Sequence, residues 1–186
     1  MSRPLIVGFG GTTRPGSSGE RMVAAVLSAA AALGAETRLF GGAALAALPH
    51  FAPENRQRTV EQRDFVDAVR AANGLVIGSP GYHGGVSGLV KNAIDLLEDL
   101  RDDDRPYFDG MPVGLSVTAA GWQAGGVTLT ALRGIVHAMR GWPTPLGIAV
   151  NTVAQKPFDA EGHLVDAGIL EQVQVQAQQI MLLADL

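Results

Sequence analysis

Gly78–Glu98 reads GSPGYHGGVSGLVKNAIDLLE, and its two halves follow different rules. Through Gly85 it is mostly glycine, interrupted by Ser79, Pro80, Tyr82 and His83. From Ser87 onward, Leu89, Val90, Ala93, Ile94 and Leu97 recur at three- and four-residue spacing, the mark of a helix with one apolar face. Ser87 stands where such a helix takes its N-cap. Lys91, Asp95 and Glu98 fall towards another face and read as solvated surface. Upstream, GLVIGS (Gly74–Ser79) is an apolar run of strand length. A strand, a glycine-rich loop over Ser79–Gly85 and a helix therefore follow one another. The loop's main chemical resource is its backbone, which glycine allows to approach a flat ligand closely.

The same unit recurs in both directions. LIVGFG (Leu5–Gly10) reads as a strand, Glu20–Gly34 as a helix stopped by Gly34, and ETRLF (Glu36–Phe40) as a second strand. A loop with Pro49 and Pro53 leads to a helix over Arg56–Gly74, with Val60, Phe65, Val66 and Val69 near one face. Downstream come a strand at Met111–Thr118, a helix at Gly125–Gly141 again ended by glycine, a strand at Pro145–Val150 and a helix at Asp166–Leu183. Alternation of this kind implies an α/β fold with a parallel sheet covered on both faces. Five strands suit the doubly wound, flavodoxin-like order 2-1-3-4-5. The 186 residues predict one domain, 1–186.

Composition narrows the function. Hydrophobic residues make up 47% and charged residues 17%, which excludes a disordered chain. A net charge of -4 argues against gripping nucleic acid or an acidic membrane through a basic patch. Without cysteine there is no thiolate catalysis, disulfide or iron–sulfur cluster. The longest weakly polar run, Met22–Ala35, falls short of the ~18 residues of a membrane span, and the N-terminus does not read as a signal peptide. The expected location is the cytoplasm. His50 and His163 have no partners patterned for a metal, His137 lies inside a helix, and no metal is expected.

In an open parallel sheet, ligands bind beyond the carboxyl ends of the strands. The loop after the first strand, GGTTRPGSSGE (Gly10–Glu20), combines glycines, the hydroxyls of Thr12, Thr13, Ser17 and Ser18, and Arg14, and it runs into a helix N-terminus. That chemistry suits a phosphate. A Walker loop is excluded, because Ser17 stands where lysine is needed after Gly11–Gly16. A dinucleotide fingerprint is excluded too: Thr13 replaces the third glycine after Gly8 and Gly10, and the second strand ends RLFGG with no acidic residue for a ribose. The reading is a monophosphate site. A third loop, TAAGWQAGG (Thr118–Gly126), would lie beside the other two.

These residues carry a family resemblance. SPGYHGGVSGLVKNAIDLLE resembles the signature of the NAD(P)H-dependent FMN reductases, flavodoxin-like enzymes that include quinone and azo dye reductases. Members read Pro-Glu-Tyr-Asn-Gly-Ser-Ile-Pro-Gly-x-Leu-Lys-Asn-Ala-Ile-Asp. Pro80, Tyr82, Gly84, Gly88, Lys91, Asn92, Ala93, Ile94 and Asp95 match it. The first loop resembles the family's Gly-Ser-x-Arg-x-x-Ser-x-Asn at Gly11, Arg14 and Ser17, with Thr12 as hydroxyl substitute, and the third resembles a Gly-Gly segment at Gly125 and Gly126. Gly81 stands in place of the family's Glu, His83 of its Asn, Ser87 of its Pro and Gly19 of the first loop's Asn.

The resemblance implies an NAD(P)H-dependent oxidoreductase with FMN as cofactor and NADPH or NADH as hydride donor. It implies FMN contacts from Gly11, Thr12, Arg14, Ser17, Ser18 and Gly19 at the phosphate. Pro80, Gly81, Tyr82, His83, Gly84 and Gly85 would lie along the isoalloxazine, with Thr118, Ala119, Ala120 and Gly121 beside it. Hydride passes between cofactors, so no catalytic side chain is expected. The implied partners are a small-molecule acceptor (a flavin, quinone or azo compound) or a flavin-dependent monooxygenase. The implied assembly is a homodimer or homotetramer. The competing readings are a flavodoxin-like electron carrier without a nicotinamide site and a non-catalytic FMN-binding protein.

Overall fold

The computed structural model describes residues 3–184. β1 (Leu5–Gly10) has β2 (Glu36–Phe40) parallel on one side and β3 (Gly74–Tyr82), the central strand, parallel on the other. A short β4 (Gly85–Val86) folds back antiparallel on β3, and β5 (Pro112–Ala119) lies parallel to β3 on its outer side. The far edge of β5 is shared by β6 (Trp142–Pro143) at its start and β7 (Ile148–Asn151) at its end. β6 and β7 are thus two pieces of one edge strand, parted at residues 144–147. The long strands run β2-β1-β3-β5-β7, which is the 2-1-3-4-5 order of a flavodoxin-like doubly wound sheet. The two-residue pieces β4 and β6 bring the sheet to seven strands.

Alternation along the strands sorts the core into two layers. Leu75 and Ile77 join Phe65 and Val69 of α3 (Val60–Ala71), Val90 and Ile94 of α4 (Gly88–Leu96), and Leu132 and Val136 of α5 (Trp122–Ala138). Val76, between them, points the other way, to Val26 of α1 (Ser18–Ala32) and Ile180 of α6 (Ala167–Ala184). Phe65 meets Phe9 and Phe40 edge-to-face, with centroids 5.3 and 5.2 Å away. Each such pair adds about 0.5–1.5 kcal/mol beyond its buried area.

Some boundaries differ from the sequence expectation. α3 begins at Val60 rather than Arg56, because Thr59 and Gln62 form a reciprocal cap at 3.0 and 3.2 Å. Val60, as the first helical residue, is 67% exposed, and Gln62 takes the buried place instead. α5 does not end on glycine: Arg140 takes the left-handed turn (φ 65°). Gly141 serves packing, since a Cβ there would lie 2.9 Å from Val136 Cγ1. A five-residue α2 (Gly42–Ala46) occupies part of the span expected to be loop.

Candidate functional site

The loop after β1 takes its shape from its own side chains. Ser17 is the N-cap of α1, and its buried Oγ accepts the N–H of Glu20 at 3.5 Å and that of Thr12 at 3.1 Å. Thr12 Oγ1 accepts the N–H of Arg14 at 3.2 Å. The chain is thereby wound into a cup facing the start of α1. At the first two helical positions, the N–H groups of Ser18 and Gly19 have no carbonyl one turn back to meet, and the helix dipole favours an anion there. Arg14 is exposed and forms no ion pair among the described residues.

The strand that leads into the glycine-rich loop continues further than its composition suggests. β3 runs through Pro80 and Gly81 to Tyr82, then turns back: Tyr82 pairs with Gly85 and Gly81 with Val86. The connection is the two residues His83 (φ 54°) and Gly84 (φ 74°). Two consecutive positive φ values make this a mirror-image hairpin turn, whose twist matches the strands it joins. Below it, the buried Ser79 Oγ donates to the Pro80 carbonyl at 2.9 Å and accepts the N–H of Ser87 at 3.1 Å. Ser87 Oγ in turn accepts the N–H of Val90 at 3.3 Å and starts α4.

These segments meet with the end of β5 around a hollow of about 210 Å³. Thr12, Arg14, Ser17, Ser18 and Gly19 form one wall, Pro80 and Tyr82 a second, and Thr118, Ala119 and Ala120 a third. An adjoining hollow of about 190 Å³ shares Thr12, Pro80 and Tyr82, and Gly11 and Leu89 extend it towards α4. The first is a hydroxyl-rich cup with Arg14 on its wall, a cation with no ion pair among the described residues. The second is a more apolar slot under an exposed tyrosine. Together they match an anion joined to a flat ring. Gly81, His83, Gly84, Gly85 and Gly121 line neither hollow.

The model of the NADPH-dependent FMN reductase family matches residues 4–155. The chain belongs to that family. An FMN-dependent NADPH-azoreductase of Staphylococcus haemolyticus is 33% identical over 120 residues, covering 62% of this chain and 56% of that protein. The chain spans about half the length of the curated relatives it matches. Among solved structures, the flavoenzyme NAD(P)H:(acceptor) oxidoreductase FerB from Paracoccus denitrificans superimposes with a TM-score of 0.78 at 17% identity, covering 98% of this chain and 97% of that one. An oxidoreductase from Corynebacterium diphtheriae does so with 0.73 at 21% identity and the same coverage. These two likenesses establish the fold.

The departures of this FMN reductase family member from the family pattern have local causes. Asn and His are both enriched at left-handed positions, so His83 keeps the hairpin turn that Asn-Gly would make. Gly81 faces α5, where a Cβ would lie 3.1 Å from both the Ala124 carbonyl oxygen and Thr128 Oγ1. Thr152 was not singled out from the sequence, yet it lines the larger hollow. Its N–H donates to the Ala119 carbonyl at 2.9 Å, and Asn151 Oδ1 accepts the N–H groups of Val153 and Ala154, forming a turn straight after β7. An Asn directly after a strand, followed by a hydroxyl, is the signal that could have found it.

Larger hollows lie elsewhere, one of about 390 Å³ between the 51–58 segment and residues 98–102. Within it Arg58 grips both carboxylate oxygens of Asp99 at 2.7 and 2.8 Å, which raises the guanidinium pKa. Among the described residues, no three His, Cys, Asp or Glu side chains converge to hold a metal, and no helix is long and apolar enough to cross a membrane.

Proposed function

We propose that this chain is an NAD(P)H-dependent FMN reductase that passes reducing equivalents from NADPH or NADH to a small-molecule acceptor such as a flavin, quinone or azo compound. The observation that carries this reading is the joining of two unlike hollows at Thr12, Pro80 and Tyr82. One suits a phosphate and the other a planar ring, and family membership supplies the molecule that has both. The residues present fit that molecule. The α1 N-terminus, Arg14 and the hydroxyls of Thr12 and Ser18 would hold its phosphate. Pro80 and Tyr82, with Gly11, Thr12 and Leu89 beside them, would border its ring, and Thr118, Ala119 and Ala120 would close the phosphate hollow. Bound FMN supplies hydride acceptance and onward electron transfer. The chain's own work is binding, orientation and exclusion of water, and no side chain is assigned a proton to move. A homodimer or homotetramer in the cytoplasm, serving free acceptors or a flavin-dependent monooxygenase, completes the proposal.

The rival reading is a flavin-binding electron carrier without a nicotinamide site. Reconstitution with FMN followed by anaerobic addition of NADPH, and separately NADH, discriminates between them. Rapid loss of the oxidised flavin absorbance is the expected result. Tightly bound FMN that neither nucleotide bleaches would replace the reductase with a carrier.

A further inference from the structure

The RLFGG end of β2 has no place in the reading above, yet its two glycines sit where a side chain has no room. A Cβ on Gly41 would lie 2.8 Å from Glu20 Cδ, and one on Gly42 only 1.7 Å from the Thr12 carbonyl oxygen. The N–H of Gly42 donates to Glu20 Oε2 at 2.8 Å, across 22 residues of sequence. Glu20 is rooted in the first turn of α1, where its own N–H meets Ser17 Oγ. The loop from Thr12 to Ser17 is therefore backed by a closed chain of contacts. Thr12 rests on Gly42, Gly42 is held by Glu20, and Glu20 and Thr12 are both bonded to Ser17. Glu20 lines neither hollow. Gly19, where the family has Asn, offers no side chain for this bracing.

We propose that Glu20 is a positioning residue that holds the phosphate loop in shape through the Gly41–Gly42 main chain, and so sets the preference for a phosphorylated flavin over an unphosphorylated one. This rests on the FMN reading. The α1 dipole favours a carboxylate in this first turn, but a bound phosphate would repel it, and what the Glu20 side chain contributes to the loop is its bond to the Gly42 N–H. Aspartate at the same position keeps the charge and loses the reach. Glutamine keeps the reach and loses the charge.

The test is titration of the apoprotein with FMN and with riboflavin, for wild type, Glu20→Ala, Glu20→Asp and Glu20→Gln, with a thermal melt of each. Loss of a hydrogen bond to a charged group is worth about tenfold, so Glu20→Ala and Glu20→Asp raise the Kd for FMN about tenfold. Their Kd for riboflavin moves less than about twofold, because only the phosphate cup is disturbed. Glu20→Gln stays within about threefold of wild type for both ligands, since its amide oxygen can still accept from Gly42. Equal weakening towards FMN and riboflavin would show general damage and overturn the proposal. So would a Glu20→Ala variant that binds FMN as tightly as wild type or tighter. Wild-type protein that binds neither flavin overturns the FMN reading, and this inference with it.

Discussion

Two loops lie beside the paired hollows, one lining them from residues 11–17 and the other turning at His83–Gly84 just beyond Tyr82, and they are held by different means. Residues 11–17 are shaped by side chains: Ser17 Oγ, Thr12 Oγ1 and the Glu20 carboxylate each accept a main-chain N–H. The His83–Gly84 turn is shaped by main chain, through a strand pair at Tyr82 and Gly85 and two positive φ values. The contrast follows from what each loop would meet. A phosphate needs many N–H groups aimed at one point, which costs backbone freedom that side-chain acceptors can offset. A flat ring needs only a smooth edge of main chain, which a strand and a tight turn provide, with the Ser79 and Thr128 hydroxyls bonded to that main chain.

The contrast can be broken at the first loop most severely by Gly42→Ala. The new Cβ has backbone rather than a mobile side chain in its way, so the expected loss is about 3 kcal/mol in urea unfolding, at the upper end of overpacking costs. A loss below about 1 kcal/mol would mean that Gly42 does not back the loop. Ser17→Ala removes the α1 cap and the Thr12 contact together, with an expected loss of about 1–2 kcal/mol by the same measurement and weaker FMN binding. Stability unchanged within error would sever the link between cap and cup.

Arg14→Ala sharpens the comparison, because the Arg14 side chain makes no ion pair among the described residues. Its melting temperature should stay near wild type, while FMN binding falls about tenfold and riboflavin binding holds, as for loss of one charge-assisted contact. Equal changes for both ligands would place Arg14 away from the phosphate. The smallest effect belongs to the second loop. His83→Asn suits the left-handed position better and should gain about 0.5 kcal/mol, a fraction of the ~1–2 kcal/mol that this conformation costs most residues. A substantial loss of FMN affinity in that variant would show that the imidazole itself touches the ligand.

The sheet was legible because its signals are local. Apolar runs at β1, β3 and β5 and the helical spacing of Val90, Ala93, Ile94 and Leu97 lie within a few residues of one another, and a strand-helix alternation has few allowed arrangements. Where competing local signals existed, boundaries moved. The Thr59–Gln62 cap overrides the apolar cue at Val60, and Arg140 takes the turn that the sequence pattern assigns to Gly141. The sequence pattern ends β3 at Ser79, because Pro80 and Gly81 are poor strand formers in isolation. Pairing with β5 on one side and β4 on the other carries them into the sheet.

The doubly wound order, the clustering of hydroxyls and glycines over Thr12–Ser18 and the family of the tyrosine-glycine stretch are legible in the sequence alone. Each of these is written in residues close together in the chain. Only the tertiary structure decided that Thr152 reaches the hollow, that Gly81 is bare to make room for α5, and that Glu20 and Gly42 brace the cup from behind. Those contacts join segments tens of residues apart. Their partners are chosen by which strand ends the sheet brings side by side, and no local pattern records that choice.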